Sequence, residues 1–89
     1  MTEQYPSLVY SDLSGTFSQD GTSVELFIVK LEGSSEWVLE VLNSHGKSIV
    51  WEETFYDEKD AYIEFLQTVA EQGIYSFNEQ NNVIQFPGR

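Results

Sequence analysis

The stretch TSVELFIVKLEGSSEWVLEVLNSHGKSIVW, Thr22 to Trp51, decides the fold. It contains three runs of aliphatic, β-branched and aromatic residues. Gly33-Ser34-Ser35 separates the first two, and Ser44-His45-Gly46 the second two. A third turn signal, Gln19-Asp20-Gly21, stands just ahead and closes a further run beginning near Leu8. Short β-rich runs divided by tight turns form consecutive hairpins. The expected core of the fold is therefore a four-stranded antiparallel meander.

Register follows if each turn is a three-residue loop with Gly21 and Gly46 in the left-handed conformation such loops require. Ser18 then pairs with Thr22, Glu32 with Glu36, and Asn43 with Lys47. The middle pair sets like charges opposite one another, which is unfavourable. On this register odd positions meet odd positions. Leu13 falls opposite Phe27 and Val9 opposite Leu31. Val29 meets Leu39, Val41 meets Ile49, and Leu39 meets Trp51. The odd face, with Trp37 and Phe55, becomes the expected core. Gly15 interrupts the first strand, as a glycine at a bulge or bend does.

A helix follows at once. Asp57 is the expected N-cap, Asp60 supports it three residues on, and Gly73 ends the helix. Tyr62, Phe65, Leu66 and Val69 recur at helical spacing and form the expected buried stripe. Asp57, Asp60, Glu64 and Glu71 fall on the expected solvated side. The fold class is thus α+β, a ββββα order with the helix packed on one sheet face. A single domain over residues 1–89 is expected, with its core at about 8–75 and residues 1–7 and 76–82 flexible or loop. Val83, Ile84 and Phe86 are candidates for a short closing edge strand.

One helix covers one face, yet the middle strands are apolar on both. The even face carries Val24, Leu26, Ile28, Val38, Leu42 and Val50, with Leu8 and Tyr10 near its edge. An open sheet with a solvated face should be polar there. These six residues are the candidate partner interface. A second copy of the chain is the expected cover, because two-fold dimers are the commonest assembly. A different protein, or the C-terminal segment 83–86 folding across the face, are the alternatives.

Composition narrows the chemistry. Fifteen acidic residues face four basic ones, for a net charge of −11, and hydrophobic content is 40%. That apolar content is too high for a disordered chain. Four scattered cations do not build the basic patch that holds nucleic-acid phosphates. Cysteine is absent, which excludes disulfides, thiolate chemistry and Cys-based zinc sites. The longest apolar stretch, Leu26 to Val29, is far short of the roughly 20 residues of a membrane span. Residues 1–7 carry neither a basic segment nor an apolar run, so a cytoplasmic location is expected.

No catalytic, cofactor-binding or metal-binding residue is expected. His45, the sole histidine, sits in a turn without an orienting partner in the sequence pattern. Glu52-Glu53 and Asp57-Glu58-Asp60 lack calcium-loop spacing, and helix capping accounts for Asp57 and Asp60. Trp37 and Trp51 are expected in the core rather than as stacking platforms.

The element order, four antiparallel strands and then a helix, resembles in topology the whirly family of single-stranded-DNA-binding proteins, over roughly residues 8 to 73. Members of that family bind DNA on a basic, aromatic sheet surface. The corresponding surface here is apolar and acidic, so no nucleic acid is expected as a partner. The expected function is a small acidic non-enzymatic interaction module that homodimerises through its second sheet face. The alternative is a polyanion mimic that binds a basic protein.

Overall fold

A computed structural model describes residues 7–78. The strands are β1 (Leu8–Tyr10), β2 (Gly15–Gln19), β3 (Thr22–Leu31), β4 (Trp37–Leu42) and β5 (Ser48–Phe55). They are followed by helix α1 (Glu58–Gln72) and a short helix α2 (Tyr75–Asn78). All pairings are antiparallel. Strands β1 and β2 lie end to end along the same side of β3, and β4 and β5 follow in order on its other side. The architecture is the meander and helix expected for an α+β chain. Residues 83–86, where a closing strand was expected, lie outside the described residues.

The break between β1 and β2 is a built feature. Tyr10 pairs with Val29, whereas Gly15 pairs with Leu26, so the first strand gains two residues on its partner. The Ser14 hydroxyl fills the gap in the ladder, accepting from the Ile28 N–H at 3.0 Å and donating to the Ile28 carbonyl at 3.3 Å. The Ser11 amide also reaches that carbonyl at 2.8 Å.

Two of the three hairpin registers differ from expectation by one residue. Gln19 pairs with Thr22, so the first loop holds only Asp20 and Gly21. Their φ values of 53° and 79° suit the two-residue type I′ turn, whose twist matches the flanking strands. Beyond β3, Val29 pairs with Val38 and Ile28 with Leu39. Gly33, at φ 88°, sits third in a turn closed by the Ser34 amide on the Leu31 carbonyl at 2.9 Å. Glu32 and Glu36 are not paired as strand partners. The third hairpin has the expected register next to its turn, where the Asn43 amide donates to the Lys47 carbonyl at 2.9 Å with Gly46 at φ 81°. Beyond Glu40 the ladder shifts by two, so Val38 pairs with Thr54 and Trp37 with Phe55, and Leu39 does not pair with Trp51 as expected.

Both slips flank β3, so β3 alone is inverted relative to the expected faces. Val24, Leu26 and Ile28 point into the helix-side core and are at most 2% exposed. Phe27, Val29 and Leu31 turn outward. Strand β3 is apolar on both sides, so alternation alone does not choose between them. Glu25 does choose: it shares parity with Phe27 and Val29. Turning that set inward would carry a carboxylate toward the core, at a cost of several kcal/mol if ionised. Instead Glu25 is on the outer face and accepts a bond from the Thr16 hydroxyl at 2.6 Å.

The core collects even positions of β3 and odd positions of β4 and β5 against the helices. Leu26 meets Val41, which meets Ile49, and Trp37 meets Phe55. Phe65 of α1 is fully buried, with Phe17 edge-on at 5.0 Å between ring centroids and Phe77 stacked at 6.0 Å. Burying one such side chain contributes about 1.5–3 kcal/mol.

Asp57 caps α1 as expected, accepting from the Lys59 amide at 2.9 Å, and Gly73 ends it with φ 82°. The buried stripe, however, is Ala61, Glu64, Phe65, Thr68 and Val69. Leu66 is 37% exposed, and Glu64 is turned inward instead of outward. The Glu64 carboxylate accepts the indole N–H of Trp51 at 3.2 Å, which gives the buried indole the partner it needs. Helix α2 takes in Ser76 to Asn78, expected as the start of a loop, because Ile74 and Phe77 fold back into the core. The Phe77 carbonyl accepts from buried Asn43 at 2.7 Å, which ties α2 to the β4–β5 turn.

Candidate partner-docking face

The outer face of the sheet is laid out by the observed register. One row runs Tyr10, Val29, Val38, Thr54 across β1, β3, β4 and β5. The next runs Phe27, Glu40, Val50, and the one beyond it Thr16, Glu25, Leu42, Ser48. Leu8 and Leu31 pair at the end of the face. No helix packs on this side among the described residues. Leu8, Tyr10 and Leu31 are 51%, 57% and 48% exposed, and the central apolar side chains are half-buried by their neighbours alone.

Of the six candidate interface residues, the structure places Val38, Leu42 and Val50 on this face. Val24, Leu26 and Ile28 belong to the core, for the register reason given above. Phe27, Val29 and Leu31 take their place, so the face stays apolar although three of its members changed. The sequence signals for the exchange were the Asp20-Gly21 dipeptide, which favours a two-residue loop, and the carboxylate of Glu25.

A shallow open groove of about 230 Å³ crosses the face, lined by Leu8, Tyr10, Phe27, Val29, Glu40 and Leu42. The rings of Tyr10 and Phe27 meet edge-on at 6.4 Å. Glu40 is half-buried in this apolar setting. Among the described residues, no hydrogen bond or ion pair reaches its carboxylate. Two other acids of the face are held, Glu25 by Thr16 and Glu36 by the Thr54 hydroxyl, and Glu52 is exposed between Val50 and Thr54 on β5. Lys30 is the one basic residue in the described strands, and it lies on the opposite face with its ammonium 5.0 Å from the Trp37 ring centre.

Elsewhere the titratable groups have local duties. His45 is exposed in the β4–β5 turn, where its amide donates to the Asn43 side chain at 2.8 Å. Glu58 accepts from the Ser11 hydroxyl and so fastens the β1–β2 break to the first turn of α1. Trp37 and Trp51 are buried in the core. Among the described residues, no cluster of three or more His, Asp or Glu side chains is disposed to hold a metal ion. No described helix is long and apolar enough to cross a membrane.

Comparison with protein-family models, with curated proteins and with solved structures yields no match to this chain.

Proposed function

We propose that this chain is a non-enzymatic protein-interaction module that buries the outer face of its sheet against another protein. The carrying observation is the exposed apolar groove bounded by Leu8, Tyr10, Phe27, Val29 and Leu42. Water gains nothing from contact with such a surface, and contiguous exposed apolar patches on small proteins mark interaction sites.

A heterotypic partner suits the face better than a second copy. A two-fold dimer centred on the groove would desolvate Glu40 twice. Among the described residues, the strands of a second copy's same face bring no lysine or arginine to meet it. Desolvating an ion costs several kcal/mol unless a partner charge compensates. Symmetric self-association, the cover expected from the sequence, remains the second reading because apolar side chains run across the face from β1 to β5.

Sedimentation of the full chain at micromolar concentration, with hydrophobic-dye fluorescence, tests the proposal. The expected result is a 10.2 kDa monomer that enhances dye fluorescence, with Val38→Glu abolishing the enhancement while leaving the melting curve intact. A dimer that Val38→Glu dissociates would make the second copy the occupant. Dye binding that appears only with Ile84→Asp and Phe86→Asp in the full chain would make its own tail the cover. A monomer that binds no dye in any of these forms would refute the reading.

A further inference from the structure

Resting on that reading, we propose that the groove of the outer face takes a cationic, amphipathic polypeptide segment. Apolar side chains of that segment fill the space between Tyr10, Val29 and Leu42, and a lysine or arginine meets Glu40.

The case starts from the position of Glu40. Register sets it between Phe27 and Val50, in the middle row of the face rather than at its rim. Any cover that fills the groove must therefore take water from this carboxylate. A purely apolar cover would leave a buried, uncompensated charge, the costliest arrangement an interface can hold. A lysine or arginine opposite it converts that penalty into a charge-assisted hydrogen bond.

Charge across the rest of the face agrees. Glu25 and Glu36 flank the apolar rows and are anchored by Thr16 and Thr54 on neighbouring strands. Ordered carboxylates lose less side-chain entropy when they bind. Lys30, the only cation in the described strands, is turned to the other side of the sheet and engaged with Trp37. The face is thus apolar around a central Glu40 and of one sign at every charged position along these rows. Complementary potentials of this kind set partner choice and speed encounter. The net charge of −11 extends the same bias over the whole chain and repels a second copy.

The probes are synthetic peptides of equal length: alternating Leu/Lys, alternating Leu/Glu, and alternating Ser/Lys. Affinity for the full chain is read by fluorescence anisotropy at physiological salt. The Leu/Lys peptide is expected to bind, and the other two at least about tenfold more weakly, since apolar and cationic contacts are both required. Glu40→Lys should weaken Leu/Lys binding by at least about tenfold, as loss of a desolvated charge partner does. Glu71→Lys changes net charge by the same amount on the exposed side of α1, and should change the affinity less than about twofold.

Equal losses for Glu40→Lys and Glu71→Lys would reduce the attraction to net charge and overturn the proposal. Leu/Glu binding as tight as Leu/Lys would also overturn it, yet leave the outer face an interaction surface. A dimer dissociated by Val38→Glu would overturn it in favour of a second copy. Failure of every peptide, together with no dye binding, would remove the underlying reading as well.

Discussion

The orientation of β3 can be tested by truncating two adjacent residues, Ile28→Ala and Val29→Ala. Ile28 is 0% exposed, between Ser14 and Leu39 in the ladder and facing the helices. Removing its branched chain loses transfer energy and leaves a cavity, together costing about 2–5 kcal/mol. Val29 is half-buried on the outer face. Its truncation removes two methyl groups at about 0.8 kcal/mol each when fully buried, so about 0.8 kcal/mol in all at half burial. Solvent fills the space, so no cavity term is added. Loss of β-branching weakens strand preference at both sites by a similar fraction of about 1 kcal/mol, and it cancels in the comparison. For a chain of this size each kcal/mol moves the midpoint by about 4–8 °C. Ile28→Ala should therefore melt about 10 °C or more below the parent and at least about 5 °C below Val29→Ala, since the strand-preference loss is common to both. Urea unfolding followed by circular dichroism checks both, with an unchanged m-value confirming that only stability moved. Equal losses, or a larger loss at Val29, would refute the observed register and return Phe27 and Val29 to the core.

Three further outcomes follow from single contacts. Ser14→Ala removes the acceptor of the Ile28 N–H at the β1–β2 break and should cost about 1–3 kcal/mol in urea unfolding, whereas Ser14→Thr retains the hydroxyl. Asn43→Ala deletes bonds from the His45 and Lys47 amides at 2.8 and 2.9 Å and to the Phe77 carbonyl at 2.7 Å. Leaving those groups unmatched should cost about 2–4 kcal/mol, and hydrogen exchange should show α2 loosened first. Asp57→Ala removes the N-cap of α1 and should lower stability by about 1 kcal/mol, with Asp57→Asn restoring most of it.

Much of the fold was legible in the chain before any coordinates. Turn residues at Asp20-Gly21, Gly33 and Gly46 divide β-rich runs at hairpin spacing, and Asp57 and Gly73 bracket the helix. Local conformational demands set these features, and local sequence records them. Val38, Leu42 and Val50 were also placed on the outer face, because the third hairpin follows directly from Ser44-His45-Gly46 with Gly46 left-handed. In the helix stripe Phe65 and Val69 are buried as expected, whereas Leu66 is not, and Ala61, Glu64 and Thr68 join them. Glu64 and Thr68 look solvated by residue type, but one is turned inward to meet the Trp51 indole and the other bonds back to the Glu64 carbonyl at 2.9 Å.

By itself, then, the sequence determined an antiparallel meander, a capped helix, an acidic surface and one sheet face too apolar for solvent. Only the tertiary structure decided which side of β3 belongs to that face, and that Glu40 sits at its middle with no hydrogen bond or ion pair among the described residues. The reason is the period of a strand. Where one face is polar, alternation tells in from out, but in Leu26-Phe27-Ile28-Val29 both faces are greasy and the pattern carries no sign. A two-residue turn at Asp20-Gly21 and the solvation of Glu25 supplied the sign, and with it the surface a partner would meet.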